Sequence, residues 1–475
     1  MSTPVGISAL GVHVPRWSLS RAALAEHWVA GGSSSGSRSV ANWDEDVVTM
    51  GVTAAGAALG NGDAAGIDAV VFATASPVFL ERQHAAVVAA ALGIAAPLCL
   101  DVTGTLRAGL DALRLATSLS RSGTARRVLV VAADRRDLPA GSALERLSGD
   151  GAAAVVVTAD DPAVEILGEG SVVDPAVGIW RRADDAAVRI GDERFVTTRL
   201  LQPWLVEAAG AALGAAGLSP DSVDRAVLAA PLPRTDVGVT KQLGVPTGAL
   251  DPSGAVAGRV GFTGVAAPLL ELAAGLSSAG RGDVVLVAAA GDGASAAVGT
   301  VHHAARVSPA GAALEAALAA ARPLPVGMFQ RLRGQVPADP VDPYTSEMLL
   351  RREQAAMLQL RAPRCRGCGA VAFPARRVCA GCGAKDEMDE VELPRRGTLF
   401  THTVEHLFPV PENRLIMGVV DLGPARLYTQ VTDTEPDACA PGVPVDLVLR
   451  RLHTGGGTPH YFWKAKVRTT GEVGL

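Results

Sequence analysis

The chain has 475 residues, of which 48% are hydrophobic and 19% are charged, and its formal net charge is −5. This length predicts about three domain-sized units, and the apolar share can fill a large core. The slight acidity argues against a dedicated binder of nucleic acid or of anionic membranes. The N-terminus has no basic start followed by an apolar stretch, and no run of about 18 apolar residues occurs. We therefore expect a cytoplasmic protein with no signal peptide and no membrane span.

One pattern of strands and helices occurs twice in the first 300 residues. Each copy has an apolar strand, a helix-like stretch ending in Leu-Gly, an amphipathic helix, a second strand, and a Gly-Asp-Gly that enters a third strand. The strands are 68–77, 127–133 and 152–158 in the first copy, and 224–233, 283–290 and 294–301 in the second. Strands alternating with helices predict parallel βαβ units. We expect a layered α/β domain over 1–335, with pseudo-two-fold halves of about 1–160 and 161–335.

A second region, 336–475, begins within a proline-rich boundary segment at 335–346. A short helix is predicted over about 346–360, and it leads into two Cys-x2-Cys pairs. These pairs are Cys365/Cys368 and Cys379/Cys382, each followed by glycine. Glycine there permits the positive φ of a rubredoxin-like knuckle. Four thiolates leave no open coordination position, so the spacing predicts a structural zinc in a ribbon over 361–396.

Five short strands separated by turns follow the ribbon and predict a small β-barrel of the OB type over 397–475. Their expected ranges are 397–402, 415–422, 425–431, 443–449 and 461–466. An OB barrel raises nucleic-acid binding as an alternative. The ribbon has only a mild basic excess and the region is poor in stacking aromatics, so we do not expect this function.

The duplicated region resembles the thiolase superfamily, in particular 3-hydroxy-3-methylglutaryl-CoA synthase and ketoacyl synthase III. Three segments carry the resemblance: the acidic stretch Val40–Asp46, the strand entry 149–157, and the segment Gln330–Gly334. The ribbon and barrel resemble acyl-CoA-associated accessory proteins that dock on thiolases. The resemblance implies an acyl-CoA or acyl-carrier thioester as ligand, a homodimer, and possible pairing with a second thiolase-type subunit.

The resemblance also places four catalytic groups, and none of them is present. The nucleophilic cysteine position, in a strand-to-helix turn, holds Leu106, which cannot form a thioester. The histidine position holds Ala229, the asparagine or histidine position holds Val260, and the glutamate position holds Ala75. The other cysteine of this region, Cys99, is expected to be a buried core thiol.

Weaker candidates remain around the expected site. Arg107, at a helix N-terminus, could meet a substrate carboxylate or a CoA phosphate, and Arg234 falls where related synthases contact CoA phosphates. The other candidates are two possible acid–base groups near the site, one hydroxyl and the aspartate of the second Gly-Asp-Gly: His84, Glu145, Thr263 and Asp292.

Two interpretations of function stay open. In the first, the protein forms or cleaves a carbon–carbon bond beside a thioester, as a synthase or acyltransferase or in the manner of an aldolase, without a cysteine nucleophile. In the second, it is a non-catalytic acyl-CoA-binding or scaffold subunit with a degenerate site. A misaligned cysteine-dependent synthase is disfavoured because this region offers no usable cysteine.

Overall fold

The computed structural model describes residues 4–30, 35–60, 64–96, 98–250, 253–336, 346–408 and 410–468, and only the backbone at 253–255. The chain forms two compact units. The first comprises Met1–Asn42, Asp46–Ala89 and Ile94–Phe329, and the second comprises Trp43–Glu45, Ala90–Gly93 and Gln330–Leu475. Most of the predicted boundary segment, 337–345, lies outside the described residues.

A nine-stranded mixed sheet organises the first unit. The strands of this unit are β1 (Gly6–His13), β2 (Trp17–Ser20), β3 (Ser37–Val40), β4 (Ala69–Thr74), β5 (Leu98–Thr103), β6 (Arg127–Asp134), β7 (Gly151–Thr158), β8 (Val164–Val173), β9 (Ile179–Trp180), β10 (Arg189–Ile190), β11 (Arg225–Ala229), β12 (Val284–Ala290), β13 (Gly293–Val301) and β14 (Arg322–Pro323). The order in the large sheet is β11-β12-β13-β8-β1-β7-β6-β4-β5.

The sheet order reproduces the predicted duplication. Outward from the antiparallel pair β1–β8, one side runs β7, β6, β4 and the other runs β13, β12, β11. In both halves the strand after the Gly-Asp-Gly is antiparallel to the strand before it, as in β6–β7 and β12–β13. The pairs β4–β6 and β11–β12 are parallel. The first half has the additional edge strand β5. At the corresponding place in the second half, the described residues form the 3₁₀ turn Thr247–Leu250.

Helices cover both faces of this sheet, which is why β6 and β7 are buried along almost their whole length. They are α1 (Arg21–His27), α2 (Val47–Leu59), α3 (His84–Leu92), α4 (Ala108–Arg121), α5 (Ala143–Leu147), α6 (Glu193–Phe195), α7 (Gln202–Ala216), α8 (Thr235–Leu243), α9 (Ser253–Val260), α10 (Ala267–Leu276), α11 (Ala304–Ala319), α12 (Val326–Leu332) and, in the second unit, α13 (Glu347–Leu358). A π-helical stretch, Val196–Leu201, connects α6 to α7.

The abundance of glycine and alanine is explained by close packing of helices on strands. A Cβ on Gly11 of β1 would lie 2.3 Å from the Ala54 carbonyl oxygen of α2. At the corresponding strand of the second half, β8, a Cβ on Gly170 would lie 2.2 Å from the Ala208 carbonyl oxygen of α7. Only glycine lets these helices approach the sheet so closely. In both halves, therefore, a strand glycine allows a helix to pack closely against the sheet.

The second unit contains the ribbon and a closed five-stranded barrel, as predicted. The ribbon has β15 (Arg361–Cys365) paired antiparallel with β16 (Met388–Glu392). The barrel strands are β17 (Arg396–Glu405), β18 (Leu415–Asp421), β19 (Arg426–Val431), β20 (Pro444–Gly455) and β21 (Thr458–Val467), in the order β17-β18-β19-β21-β20. Most of the predicted strands agree with these bounds to within three residues. The exception is β20, which runs six residues further than predicted because it pairs with β21 along almost its full length.

Two basic side chains, Arg450 and Lys464, are each only 1% exposed inside the second unit. Lys464 Nζ lies 2.9 Å from Asp44 Oδ2, and Arg450 Nη2 lies 2.8 Å from Asp433 and 3.1 Å from Glu45. Burial lowers the pKa of Lys464, and Asp44 opposes this effect. Two of the three carboxylates in the acidic stretch that suggested the synthase resemblance, Asp44 and Glu45, thus have structural partners, which compensate the burial of these charges.

None of the described helices is both long enough and apolar enough to cross a membrane.

The glycine packing gives a test of this fold. We expect Gly170→Ala to lower the free energy of unfolding by about 1–3 kcal/mol, because the new methyl group must displace the backbone of α7. Gly214→Ala, on the same helix but with no atom within 4 Å of the added Cβ, is the matched control. It should be neutral or stabilising by up to about 1 kcal/mol. Urea denaturation measures both, and equal effects would contradict the packing described.

Candidate functional site

A cleft of about 300 Å³ opens in the first unit beside the turn between β5 and α4. Both halves contribute to its walls, with Ala75 and Leu106 from the first half and Pro231, Gly291 and Asp292 from the second. We call it the acyl cleft.

The four positions expected to be catalytic share one apolar environment. Leu106, Ala229 and Val260 belong to the same buried hydrophobic cluster, and Ala75 packs against it. Of the four, Ala75 and Leu106 line the acyl cleft. The fold therefore places two of these positions, Ala75 and Leu106, at one cleft, with aliphatic side chains that can neither attack a thioester nor transfer a proton.

The buried carboxylate of Asp134, at the end of β6, holds the cleft wall together. Its Oδ1 accepts hydrogen bonds from Thr74 Oγ1 at 2.9 Å, Ala75 N at 2.8 Å and Ser76 Oγ at 2.7 Å. Its Oδ2 accepts from Val265 N at 2.9 Å. The first three donors lie at the end of β4 and just after it, in the first half, and Val265 lies in the second half. This one carboxylate therefore joins the two halves beside the acyl cleft.

A close backbone approach joins the Leu106 turn to the loop between β12 and β13. Thr105 Oγ1 donates to the Gly291 carbonyl at 2.8 Å, and a Cβ on Gly291 would lie 2.8 Å from Leu106 N. The next residue, Asp292, has a φ of 47° and is exposed. Asp292 thus lies in a left-handed turn and is one of the residues that line the cleft.

The acyl cleft also holds a buried cation that sequence reasoning missed. Arg136 is 6% exposed and lines the cleft, and within the described part of the chain its guanidinium has no hydrogen-bond or ion-pair partner. Burial lowers the pKa of Arg136, nearby Asp134 opposes that effect, and Arg181 adds to it. Arg181 lines the same cleft and is exposed.

A second cleft, of about 210 Å³, lies on the other side of Pro231, which lines both. Arg234 and Arg21 line it, and we call it the basic cleft. Arg234 has a φ of 63° and immediately precedes α8, so its side chain stands at the N-terminus of that helix. Arg21 donates to the Ala257 carbonyl at 2.5 Å, and burial lowers its pKa.

Glu271 of α10 also lines the basic cleft and is only 5% exposed. Burial raises the pKa of its carboxyl to about 8, and the negative charge of Asp236 contributes. Burial thus favours the protonated form of Glu271, which lines the same cleft as the two arginines.

His84 is a structural residue and lies outside both cleft linings. Its Nδ1 lies 2.8 Å from Asp101 Oδ2, and its Nε2 accepts from Val78 N at 3.1 Å and Phe79 N at 3.3 Å. Because Nε2 is an acceptor, the proton sits on Nδ1 and is donated to Asp101. Burial alone would raise the pKa of Asp101, but the hydrogen bonds from His84 and Ala85 outweigh it and lower that pKa. His84 thus anchors the loop after β4.

Arg107, too, is bound within the fold and not to either cleft. Its Nη1 lies 3.2 Å from the Val172 carbonyl and 3.2 Å from Ser295 Oγ, and its Nε lies 3.5 Å from Asp111. The charge at this helix N-terminus, unfavourable for the helix dipole, is therefore compensated by Asp111 one turn later. Its side chain contacts the neighbouring strands, and Arg107 is not among the residues that line either cleft.

Two further candidates are buried away from both cleft linings. Glu145 accepts from Gly141 N at 2.7 Å and is 1% exposed, and Thr263, also 1% exposed, precedes the 3₁₀ turn before α10. The prediction for Cys99 was wrong, since this thiol is half-exposed on the edge strand β5. Burial and the neighbouring Asp101 raise its pKa.

The sequence held a usable signal for one of the missed residues. Arg135 and Arg136 directly follow a strand of small apolar residues, at the strand end where α/β folds place ligands. Glu271 gave no comparable signal, because its helix is otherwise apolar and a lone carboxylate in such a helix is indistinguishable from a surface residue before the fold is known.

The four ribbon cysteines meet as a ligand set. Their sulfur atoms lie within 4.8 Å of one another, with 3.6 Å between Cys365 and Cys382 and 3.5 Å between Cys368 and Cys379. A tetrahedral zinc with bonds of about 2.3 Å requires sulfur separations of about 3.8 Å. Both knuckles have the same backbone hydrogen bonds, and Gly369 and Gly383 each have a φ of 75°. The four thiolates therefore fit a closed, structural zinc site.

Two family models match the chain. Residues 100–172 match 3-oxoacyl-[acyl-carrier-protein (ACP)] synthase III, and residues 352–388 match the rubredoxin-like zinc ribbon domain of ChsH2.

Curated relatives match the two regions separately. The hydroxymethylglutaryl-CoA synthase of Pyrococcus furiosus is 30% identical over 295 residues, which cover 61% of this chain and 84% of the relative. The synthase of Aeropyrum pernix is 32% identical over 261 residues, 54% of this chain and 72% of the relative. A DUF35 domain-containing scaffold protein of Methanocaldococcus jannaschii is 32% identical over 109 residues, 22% of this chain and 77% of the relative.

Solved structures establish the same thiolase-like fold. An HMG-CoA synthase complexed with CoA aligns with a TM-score of 0.63 at 20% identity, covering 72% of this chain and 94% of that one. The 3-oxoacyl-(acyl carrier protein) synthase III of Pseudomonas aeruginosa aligns with a TM-score of 0.57 at 24% identity, covering 63% and 98%.

The zinc site gives a prediction about metal content. We expect about one zinc per chain in the purified protein and its loss in Cys368→Ser, with the ribbon then open to proteolysis. Cys99→Ser, which alters a cysteine of the other unit, should keep the metal. Elemental analysis and limited proteolysis measure these effects, and full zinc content in Cys368→Ser would contradict the ligand set.

Glu271 predicts a pH dependence of stability. The unfolded chain ionises this group near its ordinary pKa of 4.5, whereas the folded protein keeps the proton up to about pH 8. The folded state binds more protons between these values, so this group makes stability fall as pH rises from 4.5 to 8. Glu271→Gln should match the parent protein at pH 4 and exceed it by on the order of a few kcal/mol at pH 8.5.

The matched control is Glu315→Gln, which alters a glutamate paired with Arg259 at the surface. Urea denaturation over a pH series measures both variants. If Glu271→Gln shows no larger pH-dependent gain than Glu315→Gln, Glu271 is not buried as a neutral acid.

Proposed function

Because the chain belongs to the hydroxymethylglutaryl-CoA synthase family and continues into a DUF35-type unit, we propose that it binds an acyl-CoA thioester and makes or breaks a carbon–carbon bond beside the thioester carbonyl without a covalent acyl-enzyme. The observation that carries this proposal is that Leu106, the residue at which the sequence resemblance predicts the nucleophile, lines an open cleft. Among the described residues, no cysteine lines either cleft.

The basic cleft supports CoA as the carrier of the acyl group. Arg234 at the N-terminus of α8 and Arg21 supply positive charge where the pyrophosphate of CoA would bind, and a helix N-terminus adds to it. Pro231 lines both clefts. A ligand with its phosphates at Arg234 would pass Pro231 and reach Leu106 with its thioester.

The acyl cleft limits the chemistry to proton transfer and charge stabilisation. Asp292 is the one carboxylate among its described lining residues, and we assign it as the general base. In the cleavage direction, Asp292 takes the proton of a β-hydroxyl group and the bond between the α and β carbons breaks. The products are a carbonyl compound and the enolate of the shortened thioester, which then takes up a proton. The dipole of α4, which begins beside Leu106, favours the developing negative charge.

A non-catalytic role is the second candidate, and a specific observation favours it. The described lining of the acyl cleft contains no histidine, cysteine or tyrosine. The relative that matches the second unit is itself described as a scaffold protein. In this alternative the protein holds a thioester for a second thiolase-type subunit. A homodimer is proposed in either case, formed through the edge strand β5 whose residues are mostly half-exposed.

The proposal predicts turnover that depends on Asp292 and involves no covalent intermediate. With a panel of β-hydroxyacyl-CoA thioesters, we expect cleavage products by mass spectrometry and a fall of at least about 100-fold in Asp292→Asn, in line with loss of a general base. Asp221→Asn, which alters an exposed aspartate outside both clefts, should keep full activity. Intact-protein mass spectrometry should show no acyl adduct.

The outcomes separate the candidates. Stabilisation by acyl-CoA without turnover would favour the scaffold role. A stable acyl adduct on the protein would contradict the non-covalent mechanism, and no response to any CoA compound would contradict both candidates.

A further inference from the structure

Arg136 lines the acyl cleft as a buried cation. Its side chain is more than nine-tenths buried, yet in the described part of the chain it has neither a hydrogen bond nor an ion pair. Removing a guanidinium from water without a partner is costly, and buried arginines are ordinarily paired. An arginine kept in this state at a cleft wall indicates that its partner is a negative charge on a ligand.

The carboxylate of Asp134 cannot serve as that partner. Asp134 lies close enough to influence Arg136 electrostatically, but both of its oxygens are occupied. They accept three hydrogen bonds from residues at the end of β4 and just after it, and one from Val265. Asp134 therefore joins the two halves of the fold, and the guanidinium of Arg136 stays available for a ligand.

Two of the other side-chain donors in the cleft lining are committed to the fold. Thr105 Oγ1 donates to the Gly291 carbonyl at 2.8 Å, and Trp204 Nε1 donates to Asp174 Oδ2 at 2.9 Å. Neither group is free to stabilise charge on a ligand.

The remaining side-chain donors of the described lining lie at exposed positions. Arg182 is paired with Asp184 at 2.7 Å, and Thr103, Trp180 and Arg181 are exposed. Water competes for exposed donors and weakens their electrostatic effect. Among the described lining residues, Arg136 is therefore the one side-chain donor that is both buried and uncommitted.

The proposed cleavage requires such a donor. Negative charge develops on the thioester carbonyl oxygen as the bond between the α and β carbons breaks. The two positions at which the resemblance predicts histidine or asparagine hold Ala229 and Val260, whose side chains have no polar atom. A donor held in place and shielded from water stabilises developing charge far more than one in solvent. A buried guanidinium also gives the stronger, charge-assisted kind of hydrogen bond.

We propose that Arg136 is a catalytic residue that donates hydrogen bonds to the thioester carbonyl oxygen as this oxygen acquires the charge of the enolate. The electron pair of the broken carbon–carbon bond moves onto the oxygen, the proton of the β-hydroxyl group goes to Asp292, and the enolate then takes up a proton at the α carbon. Arg136 stays protonated throughout. This inference rests on the proposed function and adds the group that stabilises the negative charge.

Steady-state kinetics of the full-length protein with 3-hydroxybutyryl-CoA and 3-hydroxy-3-methylbutyryl-CoA test the proposal. Neither acyl group carries a carboxylate, so any effect of Arg136 concerns the thioester itself. We expect Arg136→Met to lower kcat by about 100- to 1000-fold and to change KM by less than about threefold, since the interaction forms in the transition state. Arg126→Met, which alters an exposed arginine paired with Asp160, is the matched control and should keep full activity.

Two further variants separate a catalytic role from a structural one. Arg136→Lys keeps the charge but not the planar fork, and its kcat should fall by only about 3- to 10-fold. Millimolar guanidinium chloride should raise the kcat of Arg136→Ala by at least about tenfold, because the free cation can occupy the space left by the side chain and stabilise the same charge. A second measurement, exchange of the α protons of acetyl-CoA with deuterium oxide, should fall in parallel with kcat.

The outcomes distinguish this inference from the proposed function. Cleavage by the parent protein that is unchanged in Arg136→Met, or a raised KM at constant kcat, would overturn the catalytic role and leave the proposed function intact. Should Arg136→Met and Arg136→Ala fail to fold, an unchanged kcat in Arg136→Lys would overturn it. If the parent protein neither cleaves the two thioesters nor exchanges the α protons, the proposed function and this inference are both wrong.

Discussion

The buried carboxylate of Asp134 is the constraint on which the shape of the acyl cleft depends. It accepts three hydrogen bonds from residues at the end of β4 and just after it, and one from Val265, so it fixes the first half of the fold against the second beside the cleft residue Ala75. A Cβ on Gly264 would lie 2.0 Å from Asp134 Oδ2, which shows how closely the second half approaches this group. The cleft keeps its walls even though Ala75 and Leu106 carry no catalytic group.

This arrangement separates the architecture of a condensing enzyme from its usual chemistry. The positions that the synthase resemblance predicts to be catalytic belong to one apolar cluster, and the charged side chains lie at other positions. Arg136 and Asp292 line the acyl cleft, and Glu271 and Arg234 line the basic cleft. Two polar groups thus line the cleft that contains Leu106, and two line the neighbouring cleft. We propose that such a site binds a thioester and stabilises charge without forming an acyl-enzyme, since no cysteine is among the described residues that line either cleft.

The fold was predictable from the sequence to the extent that local pattern determines it. The duplicated strands, the two Cys-x2-Cys knuckles with Gly369 and Gly383, and the five barrel strands all leave periodic or spacing signals. The candidate site was predictable only at its aliphatic positions, which alignment to a family motif could locate. The partners of Arg107 and His84 and the isolation of Arg136 depend on which strands and loops meet in space. Sequence spacing carries no such information. It therefore cannot distinguish Arg107, which binds the Val172 carbonyl, from Arg136, which lines a cleft without a hydrogen-bond partner in the described part of the chain.

The most direct test of the central claim is a crystal structure of the protein with a non-hydrolysable thioether analogue of an acyl-CoA. The account predicts the phosphates at Arg234 and Arg21, the pantetheine arm passing Pro231, and the acyl group beside Leu106 and Ala75 with no bond to the protein. An analogue bound elsewhere, or both clefts empty at saturating concentration, would contradict it.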